Sequence, residues 1–256
     1  MRRTRRIPRI LGSTVIDRVE NYGRDVIAGF LQKIAPYDRV LDIGAGSGSD
    51  LETARKACPS SSAFAIESFP PNVSALQAKN IQVHAANVER DLMPFGDETF
   101  DVVMSNQTLE HIKEIFWILH EASRVLKVGG HIILGVPNLA SFHNRLLLLA
   151  GRQPTCLQNR SAHVRGYTRR DILNLFQTVF PDGYEVEDFG GANFYPFPRL
   201  LARPLAKLLP NNAWSIFLLL KKVKPYQREF LEYPIREKLE TNFYLGDESA
   251  RFNHIV

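Results

Sequence analysis

The chain has 256 residues, of which 45% are hydrophobic and 23% are charged, a balance typical of a folded globular protein. This composition excludes a disordered chain, a collagen and a disulfide scaffold. The net charge of +5 is accounted for by the N-terminal arginines Arg2, Arg3, Arg5, Arg6 and Arg9. This basic arm predicts either a solvated tail or a segment that contacts anionic lipid, nucleic acid or an acidic partner.

The two cysteines, Cys58 and Cys156, are far apart and form no pattern with histidines, so we predict neither a metal site nor a disulfide. The arginines at the N-terminus are not followed by the apolar run of a secretory signal. The apolar run at 214–220 is far shorter than the roughly 20 residues that cross a bilayer. We therefore expect a cytoplasmic protein, with peripheral contact at the inner membrane face if the arm binds lipid.

Strand-like and helix-like segments alternate along the chain. Strands are predicted at 39–43, 63–66, 81–83, 100–104, 131–136, 184–189 and 214–223. Helices are predicted at 50–58, 71–79, 109–126, 145–150 and 168–180. This alternation predicts an α/β fold with a mostly parallel sheet and helices on both faces. We divide the chain into a basic arm (1–16), one domain (17–222) with insertions near 138–168 and 192–212, and a C-terminal tail (223–256).

A glycine-rich loop, V-L-D-I-G-A-G-S-G at 40–48, follows the first strand. Alternating glycines let a ligand approach the backbone closely. A dinucleotide fingerprint would need glycine where Ser49 stands, and Asp42 would repel a pyrophosphate. A cationic ligand without phosphate fits better, and S-adenosylmethionine, with its ammonium and sulfonium groups, is such a ligand.

Three further polar positions follow later strands. Glu67 ends the second strand, where a carboxylate can accept hydrogen bonds from ribose hydroxyls. Asn87 and Val88 follow the third strand, where they can contact adenine. Asn106 ends the fourth strand, beside the point at which the strand order reverses and ligands bind.

Taken in order, the segments 40–48, 93–103, 109–111 and 124–130 resemble the successive motifs of class I S-adenosylmethionine-dependent methyltransferases. The resemblance implies a Rossmann-like, seven-stranded sheet of order 3-2-1-4-5-7-6 with the last strand antiparallel. It also implies a cofactor site in which the methionine end is held by the loop, ribose by Glu67 and adenine by Asn87 and Val88, with Asn106 near the methyl group. The loop residues concerned are Asp42, Gly44, Ala45 and Gly46. The family often has aspartate where this chain has Asn87.

Two histidines are candidates for the acceptor side. His163 falls in the segment that covers the acceptor site in the family, so we predict a general base or an acceptor contact. His111, in the pair Glu110-His111, is the second candidate. For both, the alternative is a structural hydrogen bond within a loop.

The segment 193–209 bears on the acceptor. Aromatic residues at 193–198 lead into an apolar stretch with Arg199, Arg203 and Lys207 at four-residue steps. This pattern predicts either a packed helix with a solvated cationic stripe or a surface that rests on lipid or binds a lipid-linked anionic acceptor. Nucleic acid is an unlikely substrate, because the segment at Asn106 lacks an Asn-Pro-Pro-aromatic signature and no basic aromatic platform is present.

The leading prediction is methyl transfer from S-adenosylmethionine to a small-molecule, glycan or lipid-linked acceptor by in-line displacement. The alternative is a cofactor-binding protein without turnover that acts through partners. A nicotinamide-dependent reductase is disfavoured by Asp42 and Ser49. The sequence does not predict an oligomeric state.

Overall fold

The computed structural model describes residues 22–241, so the arginines of the basic arm lie outside the described residues. Seven strands are present in this range: β1 Arg39–Ile43, β2 Ser62–Glu67, β3 Gln82–Ala85, β4 Phe100–Asn106, β5 Leu126–Pro137, β6 Tyr184–Ala192 and β7 Ser215–Lys222. The α-helices of the same range are α1 Arg24–Ile34, α2 Ser49–Ala57, α3 Pro70–Ala78, α4 Ile115–Val125, α5 Phe142–Leu149, α6 Arg169–Val179, α7 Arg199–Leu208 and α8 Glu229–Arg236.

The strands form one sheet in the order β3-β2-β1-β4-β5-β7-β6, and β7 runs antiparallel to both of its neighbours. This confirms the order that the motif resemblance implies. Asp42 near the end of β1 is in register with Ala65 of β2 and Met104 of β4, so the carboxyl ends of these strands share one edge. The order reverses between β1 and β4, which opens the crevice where α/β proteins bind ligands.

Two apolar layers hold the helices to the sheet. One layer lies between the sheet and helices α1, α2 and α3, and contains Ile27, Leu51 and Leu76. The other lies under α4, α6 and α8, and contains Ile118, Phe176 and Phe230. Since both faces are covered, the central strands are buried on both sides, which explains their nearly continuous apolar sequence.

The structure differs from the sequence prediction around the fourth helix. The predicted helix at 109–126 is split into a short 3₁₀ turn, Leu109–His111, and α4. The glycine pair Gly129-Gly130 follows the predicted helix and was expected to end it, but α4 already ends at Val125. The pair lies inside β5, where a Cβ on Gly130 would come within 2.8 Å of the backbone oxygen of Asp101. Glycine is therefore needed here because β4 and β5 lie too close for a side chain, and β5 starts earlier than predicted.

The ends of the domain also differ from the prediction. Helix α1, for which the sequence analysis named no element, precedes β1 and packs on the sheet. Helix α8 lies in the segment that we assigned to a tail, yet Phe230 and Leu231 are buried. The packed domain therefore extends at least to Arg236. Among residues 22–241, no helix combines the length and apolar content that a membrane crossing requires.

Candidate active site

The loop between β1 and α2 lines the crevice, and its glycines have different structural roles. Gly46 has φ of 53°, and a Cβ there would meet no atom within 4 Å. A Cβ on Gly44 would come within 2.5 Å of Thr108, and one on Gly48 within 2.7 Å of Leu76. Gly44 and Gly48 therefore allow tight packing inside the protein, whereas Gly46 presents open backbone to a ligand.

Three carboxyl groups gather beside this loop. Asp42 is only 2% exposed, and Asp50 and Glu67 are buried as well. Arg24 supplies the compensating charge, because its Nε donates to Asp50 Oδ1 at 3.1 Å. Burial raises the pKa of Asp42 well above its usual value, and repulsion from Asp50 and Glu67 raises it further. The cluster therefore has more carboxyl groups than cations and suits a positively charged ligand.

Glu67 is bonded to the glycine loop itself. Its Oε2 accepts a hydrogen bond from the backbone N–H of Gly46 at 2.8 Å, and its Oε1 accepts from those of Ser68 and Phe69 at 2.9 Å each. These bonds fix the loop against the end of β2. Ribose hydroxyls that reach Glu67 must share these oxygens with backbone donors. Glu67 thus fixes the shape of the crevice and is also a candidate ligand contact.

Asn106 lies at the reversal of strand order. Its Nδ2 donates to Asp50 Oδ2 at 2.8 Å and to the backbone oxygen of Tyr22 at 3.0 Å. Its Oδ1 is buried without a hydrogen-bond partner among the described residues, a cost that proteins usually avoid. Asn106 therefore joins α2 and the start of the described chain to the floor of the crevice.

The predicted adenine contacts follow β3, at the same edge of the sheet. Asn87 Oδ1 accepts from the backbone N–H of Glu89 at 2.9 Å, and the backbone N–H of Asn87 donates to Asp91 Oδ2 at 2.7 Å. Val88 packs partly against the core. The side-chain oxygen of Asn87 thus holds a turn in the protein, which makes its proposed adenine contact less direct than those of the loop.

Asp50 and Arg24 belong to this crevice, but the sequence analysis did not single them out. Asp50 stands in the first turn of α2, where a carboxylate is stabilised by the helix dipole. The position of Asp50 directly after the glycine loop, at the start of a predicted helix, could therefore have been recognised in the sequence. Arg24 begins α1, and no motif in the sequence indicates that this helix reaches the glycine loop.

The two predicted acceptor-side histidines lie together. The ring centroids of His111 and His163 are 4.7 Å apart, with the planes nearly perpendicular at 82°. The segment that carries His163 is fixed to the turn after β4, because the backbone N–H of Val164 donates to the backbone oxygen of Glu110 at 2.8 Å. Tyr167 OH donates to the backbone oxygen of Leu109 at 3.1 Å. Tertiary contacts thus bring residues from distant parts of the chain to one place.

Glu110 completes this group, although the sequence analysis gave it no role. It is 2% exposed, and its burial raises the pKa of its carboxyl group to about 8. Partial desolvation, and to a lesser extent repulsion from the neighbouring His163, lowers the pKa of His111. The group lies close to the glycine loop, since Thr108, two residues before Glu110, contacts Gly44 and donates to the backbone oxygen of Ile43 at 3.2 Å.

With this geometry described, the chain can be compared with known proteins. Residues 41–134, which run from β1 into β5, match the family described as methyltransferase domain. The match covers 94 of the 256 residues and places a methyltransferase domain in this part of the chain. The cofactor of this family is S-adenosylmethionine, in agreement with the sequence prediction.

Named relatives align with less than half of the chain. The chain is 28% identical over 120 residues to 27-O-demethylrifamycin SV methyltransferase of Amycolatopsis mediterranei, an alignment covering 43% of this chain and 42% of that enzyme. It is 27% identical over 97 residues to demethylmenaquinone methyltransferase of Tropheryma whipplei, covering 38% of this chain and 41% of that enzyme. The chain spans about half or less of the length of the curated relatives that it matches.

A solved structure extends the likeness of fold beyond this region. It is 1,6-didemethyltoxoflavin-N1-methyltransferase of Burkholderia thailandensis, determined with 1,6-didemethyltoxoflavin and S-adenosylhomocysteine. The identity is 16%, the TM-score is 0.54, and 81% of this chain and 82% of that chain are covered. At this identity the comparison concerns the fold alone.

Proposed function

We propose that the protein binds S-adenosylmethionine in the crevice beside the glycine loop and transfers its methyl group to an acceptor held near His111 and His163. The observation that carries the proposal is the carboxyl cluster of Asp42, Asp50 and Glu67, which Arg24 compensates only in part. The ammonium and sulfonium groups of the cofactor supply positive charge. A pyrophosphate would add negative charge to the same place, which disfavours a nicotinamide cofactor.

Each part of the crevice has a task in this proposal. Asp42 and the open backbone at Gly46 hold the methionine end, Glu67 accepts from ribose, and Asn87 and Val88 border adenine. Asn106 forms the floor beside the methyl group. Because methyl transfer is a direct displacement, these residues act by aligning the acceptor atom with the bond between sulfur and the methyl carbon.

His111 and His163 form the acceptor side. A neutral imidazole beside the acceptor can take the proton of a poorly acidic hydroxyl. Such a base or acceptor contact presupposes turnover. The relatives are named for methyl transfer, which favours turnover over the alternative of a binding protein that acts only through partners.

Calorimetry with S-adenosylmethionine, S-adenosylhomocysteine and NADH tests the cofactor proposal. We expect binding of the first two compounds and none of NADH. Binding of NADH alone would reject the assignment, and binding of the first two without methyl transfer to any tested acceptor would favour the binding-protein alternative.

The acceptor class is suggested by a helix whose buried side is polar and whose exposed side is apolar. Helix α5 buries His143 and Asn144 and exposes three of its four leucines, with Leu149 85% exposed. The buried polar groups are satisfied: His143 Nε2 is 2.8 Å from Thr155 Oγ1, and the backbone N–H of Thr155 donates to Asn144 Oδ1 at 2.9 Å. Hydrogen bonds therefore hold α5 in place, and its apolar side chains contribute to an outer surface.

Helix α7 continues this surface. It packs inward through the small residues Ala202 and Ala206, while Leu200 is 90% exposed. The two helices start near each other, since the ring centroid of Phe142 in α5 lies 6.2 Å from that of Phe197, two residues before α7. We define the leucine surface as the exposed leucines of both helices: Leu146, Leu148, Leu149, Leu200, Leu201 and Leu208. Exposed apolar side chains grouped in this way mark an interaction site.

Cations lie beside the leucine surface. Arg203 and Lys207 line a cavity of about 450 Å³ that is bordered by Gly23 and Asp25 at the start of α1. Tyr22, next to Gly23, is bonded to Asn106 in the crevice, so this cavity adjoins the cofactor site. Asp25 Oδ2 lies 3.8 Å from Arg203 Nη2, so the two cations and one carboxylate give the pocket a net charge of +1. Apolar side chains beside such a pocket suit an amphipathic, anionic compound. We therefore propose a lipid-linked acceptor and peripheral contact with an anionic membrane.

Vesicle flotation tests this second proposal. The double variant Leu149→Gln, Leu200→Gln removes two exposed side chains, and inserting one leucine into an apolar phase is worth about 1.5–3 kcal/mol. We expect at least a tenfold loss of binding to anionic vesicles, whereas Leu92→Gln, at an exposed leucine elsewhere, leaves binding unchanged. Deletion of residues 1–9 measures how much the basic arm contributes to vesicle binding. Equal binding by all variants, or equal binding to neutral vesicles, would contradict the proposal.

A further inference from the structure

Glu110, His111 and His163 form a set of groups able to ligate a metal ion, a use that goes beyond the acceptor contact proposed for the two histidines. One carboxylate oxygen of Glu110 and one ring nitrogen of each histidine all lie within 4.8 Å of one another. Ligands held tetrahedrally about 2.1 Å from a cation lie roughly 3.4 Å apart. The set therefore closes on a cation through small side-chain movements.

The carboxyl group of Glu110 provides an independent sign of a missing partner. The residue is only 2% exposed, and Oε2 accepts no hydrogen bond from any described residue. Arg165, two residues after His163, does not compensate Glu110, because its Nη2 donates to the backbone oxygen of Lys113 at 2.7 Å. A buried carboxylate oxygen without a donor is costly, and a bound cation removes this cost.

Both histidines are held as metal-ligating histidines usually are, by a backbone carbonyl at the second ring nitrogen. His163 Nδ1 lies 2.9 Å from the backbone oxygen of Cys156, so Nδ1 carries the proton and Nε2 keeps a lone pair. His111 also has a hydrogen bond to the backbone of Ala162. His163 thus has one donor engaged with the protein and one nitrogen left for a ligand, and one ring nitrogen of His111 lies within 4.8 Å of the other ligand atoms. His111 is exposed, which gives a cation access from solvent.

We propose that Glu110, His111 and His163 bind one divalent transition-metal ion. Two imidazole nitrogens and one carboxylate favour zinc, manganese, cobalt or iron(II) over magnesium or calcium, which prefer oxygen ligands. Three protein ligands leave at least one coordination position open. The sequence analysis predicted no metal site, because one ligand comes from a distant segment that folding brings to the turn after β4.

The open position explains what the ion does, and this step rests on the proposed function. The ion binds a hydroxyl oxygen of the acceptor and lowers the pKa of that hydroxyl, as it does for water. The hydroxyl proton leaves to solvent, the bond from oxygen to the methyl carbon forms as the carbon–sulfur bond breaks, and the sulfonium becomes a neutral thioether. In this arrangement the histidines position the acceptor through the ion, and this role replaces that of a general base.

Binding of cobalt(II) to the chelator-treated full-length protein tests the site without measuring activity. We expect one equivalent of cobalt to bind with the visible absorption of a nitrogen- and oxygen-ligated ion, and zinc to displace it. Glu110→Gln and His163→Asn should each weaken binding by more than tenfold, because each removes a ligand while keeping a similar shape. His84→Asn, which removes an exposed histidine elsewhere, should bind like the wild type.

Circular dichroism and S-adenosylhomocysteine binding distinguish the possible failures. Variants that keep their spectrum and bind S-adenosylhomocysteine normally, yet lose cobalt, support the site. The inference is overturned if the wild-type protein binds no stoichiometric cobalt, or if both ligand variants bind it as tightly as the wild type. Failure of the cofactor proposal is a separate result, in which cobalt binds but S-adenosylmethionine and S-adenosylhomocysteine do not.

Discussion

Replacing Asp42 with asparagine is expected to weaken cofactor binding and to stabilise the free protein at the same time. Asp42 is buried beside Asp50 and Glu67, and Arg24 is already bonded to Asp50. In the free protein the Asp42 charge is therefore poorly compensated. In the complex, the positive charge of S-adenosylmethionine compensates it. The same side chain thus opposes stability before binding and favours affinity afterwards.

The size of the loss in affinity follows from the type of contact. A hydrogen bond to a charged group contributes about 1.5–3 kcal/mol, which corresponds to roughly a tenfold to hundredfold change in dissociation constant. Asparagine keeps the shape of the side chain and one acceptor oxygen, so steric effects are small. Calorimetry with S-adenosylhomocysteine and S-adenosylmethionine measures the change, and Asp38→Asn, at an exposed position before β1, controls for the loss of one negative charge.

The gain in stability has a defined pH dependence. The pKa of Asp42 is raised in the folded state, so the folded protein holds this proton more tightly than the unfolded chain does. Stability is therefore lost as pH rises towards the folded-state pKa, by about 1.4 kcal/mol for each pH unit above the pKa of the unfolded chain. Urea unfolding should show Asp42→Asn to be more stable than the wild type at about pH 8, with the difference vanishing near the ordinary aspartate value of about 4. If affinity is unchanged, or if the variant is less stable at high pH, the charge argument for this crevice is wrong.

Three other outcomes are expected. Glu67→Gln should weaken adenosine binding by about 1–3 kcal/mol while leaving methionine binding nearly unchanged, and equal losses for both fragments would contradict a ribose role. His163→Asn should lower methyl transfer with cofactor affinity intact; a variant that loses cofactor affinity but keeps its rate at saturation would remove His163 from the acceptor side. Burial lowers the pKa of His143 to about 4, so the unfolded chain binds its proton first and stability should fall by up to about 3 kcal/mol from pH 6.5 to pH 4. The urea midpoint of His143→Gln should fall less than that of the wild type over this range. If the midpoints of both proteins depend on pH in the same way, His143 is not a neutral buried histidine.

Much of the fold was predictable because its signals are local. The strands that carry Asp42, Glu67 and Asn106 are short apolar segments that end in polar residues, and the parallel sheet brings those ends together. The sequence therefore predicted the residues on the loop side of the crevice, whereas the sheet order followed from the resemblance to a known family. The contribution of Arg24 was not predictable, because it depends on how α1 packs against the sheet.

The grouping of the two histidines with Glu110 also could not be predicted, because it depends on tertiary contacts. His111 and His163 were each predicted for the acceptor side, but nothing in the sequence places Glu110 beside both of them. Their grouping depends on hydrogen bonds from residues 164 and 165 to the backbone of Glu110. Local periodicity also could not show which side of α5 faces inward, since a run of leucines ordinarily indicates the buried side of a helix.

The reversed polarity of α5 has a consequence for how this helix tolerates mutation. In a library selected only for folding, Leu149 and its exposed neighbours should accept polar residues freely, while His143 and Asn144 should remain fixed by their bonds to the segment at Thr155. An ordinary amphipathic helix shows the opposite pattern, with variable polar positions and constant leucines. Under selection for growth that depends on the protein's natural acceptor, the leucines should become constrained as well. The difference between the two libraries would therefore map, residue by residue, the part of this surface that the cell uses.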